Sequence, residues 1–140
     1  MSPRRGQQIA QALRRARKEV ASGLDKPAGA YRPPGRDECR EKRWVVAVDE
    51  TNAIRLHYMA WRKGSVLADF VILVERITSG GWVEVERFDC CHGCCHLHAD
   101  GREASQPIYA LNVVEDVQEA FTRASREADD RATIIRRKGE

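Results

Sequence analysis

No apolar run in this chain exceeds five residues; the longest are Trp44–Val48 and Phe70–Val74. A membrane helix needs roughly 20, so no spanning segment is expected. No secretory leader is expected either, because the polar, basic start Met1–Arg5 leads into an arginine-studded stretch rather than an apolar one. Gly80-Gly81 is a lone turn pair, and no glycine-rich loop of the phosphate-cradling kind occurs. These absences leave a small soluble domain with the cytoplasm as its expected compartment. At 140 residues the chain suits a single domain with one modest core.

That compartment decides how the five cysteines are read. In a reducing environment they point to metal ligation, reactive thiols or small buried apolar groups rather than to disulfides. The odd total argues against a complete disulfide framework. Adjacent cysteines also bridge each other poorly, because disulfide geometry is restrictive.

The formal net charge of +3 hides an asymmetry. Residues 1–43 carry twelve Lys/Arg against five Asp/Glu, and the remainder carries twelve against sixteen. A basic N-terminal arm of this kind suits nucleic acid or an acidic partner, although a solvated helix face has the same composition. Ser2-Pro3 reads as an N-cap with proline at the first helical position. Ile9, Leu13, Ala16, Val20 and Leu24 then make an apolar helical stripe. From Lys26 to Gly35 the chain is rich in Pro and Gly and reads as a linker. The expected organisation is a basic helix and linker over residues 1–38 and an α+β domain over 39–140.

Within that domain the period shortens to two. Trp44–Val48 is a short β-type run, Ala53–Trp61 alternates, Val66–Ile77 is apolar on both faces apart from Asp69, Glu75 and Arg76, and Trp82–Asp89 follows the turn at Ser79-Gly80-Gly81. Closely spaced strands with tight turns predict an antiparallel meander of four or five strands. Beyond Asp100-Gly101 the period becomes helical, with Val114, Val117, Phe121, Ala124, Ala128 and Ile135 on one stripe. Asn112 and Glu115 make a partial capping box, and acidic residues near the start and basic ones near the end match the helix dipole. The predicted fold is this sheet packed against one long C-terminal helix. Trp44, Trp61 and Trp82 are expected to pack in the core or at its rim.

Chemistry concentrates in residues 89–98, DCCHGCCHLH, where seven of ten residues are Cys or His. Thiolate and imidazole are the ligands zinc prefers. A strand through residues 94–98 puts Cys94, His96 and His98 on one face. Structural zinc sites usually pair two separated ligand clusters, whereas here there is one, with Cys39 and His57 as the sole outside candidates. A second reading makes a cysteine the nucleophile, with His92 or His96 as its base. A third needs no cysteine: Asp89, His92 and His96 act as orienter and general acid/base, and Arg87 binds an anion such as phosphate.

The stretch GGWVEVERFDCCHGCCHLHADG resembles a small prokaryotic domain family with the pattern R-[YF]-D-x-x-H-G-x-x-H, followed by an Asp-Gly turn and a C-terminal helix. The matching residues are Trp82, Arg87, Phe88, Asp89, His92, Gly93 and His96. The family's pattern has small or apolar residues at the four cysteine positions, so the resemblance implies an Asp/His site and carries no particular activity with it. More remotely the chain resembles the TumE-type toxins of toxin–antitoxin pairs. That likeness implies a toxin component acting on RNA, with an antitoxin-like protein as a partner beside nucleic acid. A zinc-binding or protein-interaction module is the remaining alternative.

Overall fold

The computed structural model describes residues 29–138, together with the backbone of two dipeptides near the N-terminus. Six strands, β1 (Arg40–Ala47), β2 (Ile54–Lys63), β3 (Val66–Thr78), β4 (Gly81–Cys91), β5 (Cys94–His98) and β6 (Gln106–Ala110), form one antiparallel sheet in sequence order. A long helix, α1 (Glu115–Lys138), packs on one face. The fold is thus α+β as expected, with six strands rather than four or five. The strand that sequence periodicity overlooks is β6. It is short, contains Pro107, which cannot donate to a ladder, and lies at the sheet edge where such a residue is tolerated.

Alternation sorts the side chains. Ile54, Leu56, Tyr58 and Ala60 of β2, Phe70, Ile72 and Val74 of β3, Phe88 of β4, and Cys95 and Leu97 of β5 all face the helix and are buried. Full burial of each large apolar side chain is worth about 1.5–3 kcal/mol. The helix answers with Val117, Ala120, Ala124, Ala128, Ala132 and Ile135, a stripe whose small residues let the backbone come close to the sheet. Phe121 fills the side of this seam, edge-on to Phe70 at 5.2 Å between ring centroids.

Two features of the helix depart from expectation. Asp116, not an Asn112–Glu115 box, caps its start, with Oδ2 accepting the backbone N–H of Asn112 at 2.8 Å and of Val113 at 3.2 Å. The Asn112 side chain instead accepts the Ala30 N–H at 3.2 Å. In addition, Arg131 makes a two-pronged ion pair with Glu86, which reaches in from β4 and is 2% exposed. Glu86 points inward with Phe88, two residues on, opposite Val74; the ladder slip that follows, one extra residue at Val85, puts Glu84 on the other face beside Glu75.

The stretch expected to be a linker is docked from Gly29 onward. Residues 29–39 run along one end of the sheet. The Gly29 N–H donates to Gly93 O at 2.8 Å, Tyr31 Oη donates to Ala68 O at 2.8 Å, and Arg36 Nε lies 3.1 Å from Asp69 Oδ2. Pro and Gly here prevent regular structure without preventing packing. At the chain start, Ser2–Pro3 and Gln7–Gln8 are extended and pair in parallel, in place of the helix start expected at Ser2-Pro3. The apolar stripe from Ile9 to Leu24 lies outside the described residues.

Candidate functional site

The tip of the β4–β5 hairpin fixes where every group of residues 89–98 points. Cys91 pairs with Cys94 across His92-Gly93, and both turn residues have positive φ, 52° and 71°. That is the signature of a two-residue type I′ turn. It sets the register Cys90↔Cys95, Asp89↔His96, Phe88↔Leu97 and Arg87↔His98. Period-two alternation then splits the segment. Phe88, Cys90, Cys95 and Leu97 turn toward the helix; Arg87, Asp89, Cys91, Cys94, His96 and His98 share the opposite face.

On that face Asp89 is the hub. Its Oδ2 lies 3.0 Å from Arg87 Nε, and its Oδ1 lies 3.2 Å from His98 Nε2. Arg87 also reaches Glu84 at 3.4 Å. His96, directly opposite Asp89, places Nδ1 3.3 Å from Ser105 Oγ. Burial pushes the His96 imidazole below the usual histidine value of 6.5, with Asp89 opposing the shift. The ring is therefore neutral at pH 7 and able to accept a proton. His98 and Asp89 are half-buried, which keeps the pair partly shielded while leaving it reachable.

The hub opens onto a groove of about 400 Å³. Met59, Val71 and Leu73 give it an apolar floor, and Arg36, Arg43 and Arg87 stand among its walls. Arg36 stacks over buried Trp61, 3.8 Å from the ring centroid. At the other end of the face, Arg55 stacks over Trp82 at 4.3 Å and pairs with Glu75 at 2.6 Å. His57 is half-buried near the same carboxylate. Trp44 stacks on Tyr58, with the ring planes 4° apart.

The residues expected from sequence meet only in part. Asp89, His96 and Arg87 come together. His92 stands exposed at the turn, beyond the cluster. His98, anticipated only as a metal ligand, is the imidazole that touches Asp89. The two-residue turn could have revealed this pairing, since it alone sets Arg87 opposite His98. Cys94 is buried and donates to its neighbour's carbonyl, Cys95 O, at 3.4 Å. Among the described residues no three His, Cys, Asp or Glu side chains are grouped to hold a metal ion. The thiols are poorly set for nucleophilic work. The hydrogen bond with Cys95 and burial push Cys90 far up, and desolvation followed by the Asp89 charge raises Cys91. A nucleophilic cysteine requires the reverse.

A family model described as Domain of unknown function (DUF7718) matches residues 39–138. The chain belongs to the DUF7718 family. The matched span takes in all six strands, α1 and the Asp89 cluster, and it begins within the docked strap, after Arg36. No curated protein and no solved structure matches the chain. The DUF7718 chain is thus a small α+β domain without an assigned biochemical role. Among its described residues no helix is long and apolar enough to cross a membrane.

Proposed function

We propose that Arg87, Asp89, His96 and His98 form a general acid–base site that acts on a phosphodiester of RNA. The observation that carries this reading is the Asp89 carboxylate held between Arg87 Nε at 3.0 Å and His98 Nε2 at 3.2 Å, on the face opposite the helix and across from His96. His96, neutral through burial, takes the proton of the ribose 2′-hydroxyl. His98, oriented by Asp89, returns a proton to the departing 5′-oxygen, and the carboxylate stabilises the imidazolium between turnovers. Arg87 and Arg43 offer cationic contacts to the phosphate. The excess of Lys/Arg in residues 1–43 supplies a sequence-independent attraction to the polymer.

The test is cleavage of a labelled single-stranded RNA by the full chain and by His96→Ala and His98→Ala. Each variant should lose about 10²–10⁴-fold in rate, the usual contribution of one acid–base group, while its melting temperature stays near that of the parent. An inactive parent protein, or variants that lose stability without a specific loss of rate, would overturn the reading.

A further inference from the structure

The acid–base reading leaves Cys90 and Cys95 unused. They stand directly opposite each other on β4 and β5, on the helix-facing side. Both are free thiols. The type I′ turn makes Cys91 and Cys94 the hydrogen-bonded pair that closes the loop, so the next rung, Cys90–Cys95, is a non-hydrogen-bonded pair. In such a rung the Cα atoms approach to about 4.5 Å, inside the roughly 4.4–6.8 Å that a disulfide spans. Access is one-sided. Cys95 is fully buried, whereas Cys90 is only partly buried, at the border of the helix-facing core.

We infer that Cys90 and Cys95 form a cross-strand dithiol that closes to an intramolecular disulfide by exchange with a small disulfide such as oxidised glutathione. The Cys90 thiol loses its proton and attacks one sulfur of the small disulfide. An S–S bond forms at Cys90, and one small thiolate leaves. The Cys95 thiol then gives up its proton and attacks the Cys90 sulfur, expelling the second small thiolate. The two thiolates take up the two protons, so two protein thiols are oxidised and one small disulfide is reduced to two thiols. Cys91 and Cys94 lie on the opposite face and take no part. The same alternation that keeps four thiols from converging on one side dedicates this pair to each other. The attacking Cys90 thiol resists ionisation, so exchange is slower than at an exposed cysteine, and the pair stays reduced until the oxidant is in excess.

The experiment uses the full chain incubated with excess oxidised glutathione, alkylated after denaturation, digested at arginine and mapped by fragmentation. The peptide Phe88–Arg102 should be lighter by two hydrogens, with Cys90 joined to Cys95, while Cys91 and Cys94 carry the alkyl group. Dithiothreitol should reverse the change. Cys95→Ser should stop the reaction at a glutathione adduct on Cys90. Because Cys95 lies in the core and this variant risks unfolding, Cys90→Ala serves beside it and should form neither adduct nor bridge at Cys95. A Cys91–Cys94 bridge, a lasting Cys90 adduct in the parent chain, a bridge between chains, or no reaction in excess oxidant would each overturn the inference.

Discussion

Gly29 and Gly93 meet backbone to backbone. The Gly29 N–H donates to the Gly93 carbonyl at 2.8 Å, and a Cβ placed on Gly93 would lie 2.0 Å from Gly29 O. The same carbonyl also accepts the Leu111 N–H at 2.8 Å, so one turn residue ties the strap, the hairpin tip and the end of β6 together.

Gly93→Ala should therefore act on two levels. The left-handed backbone at φ 71° costs a residue with a Cβ about 1–2 kcal/mol, and the strap must also move away. Thermal melting should drop by several degrees. Protease nicking near residue 29 should become faster than in the parent. An unchanged melt together with an intact strap would show that the close approach carries no stability.

Truncation separates the arm from the strap. Removing residues 1–28 should leave the melting temperature near that of the full chain, because the strap contacts made by Gly29, Tyr31 and Arg36 are all retained. Starting at Cys39 also removes Arg36 from Asp69, a carboxylate only 4% exposed whose ionisation burial already disfavours. That shorter chain should be clearly less stable. If the longer truncation product folds but loses affinity for single-stranded RNA at low salt, the basic charge of the arm is a binding element.

The ion pair of Glu86 and Arg131 predicts an asymmetric pair of variants. Arg131→Met leaves a buried carboxylate without its cation. It should cost about 3 kcal/mol, toward the lower end for broken buried pairs because Arg131 is partly exposed. Replacing both residues by apolar ones of similar volume, Glu86→Leu with Arg131→Met, should recover most of that loss. Chemical denaturation of the single and double variants reads the difference directly.

His96 makes stability depend on pH in a known direction. Its folded-state value lies below 6.5 because burial disfavours the charged ring. Below 6.5 the unfolded chain therefore binds a proton that the folded chain refuses. The contribution is complete above about pH 6.5 and is lost as the pH falls through the window below it. His96→Gln should flatten the melting temperature between pH 7 and pH 5. In RNA cleavage, the limb assigned to the base should fall below the ordinary histidine range.

Much of this protein is settled by local pattern. Period-two alternation in Ala53–Trp61 and the helical stripe through Val117, Ala124, Ala128 and Ile135 mark β2 and α1, because burial on one face imposes those periods on any chain, and the mostly apolar segment Val66–Ile77 marks β3 as a strand covered on both faces. The density of Cys and His likewise marks the β4–β5 hairpin. Tertiary structure decides the rest. Which histidine meets Asp89 depends on the hairpin register, and that register depends on two positive φ angles at His92-Gly93. Whether Gly29, Ala30 and Arg36 dangle or dock depends on partners 33 to 82 residues away, Gly93, Asn112 and Asp69. Short-range periodicity carries no information about contacts at that separation. The pairing of inward-facing Glu86 with Arg131 has the same origin, since the partner lies 45 residues further along the chain.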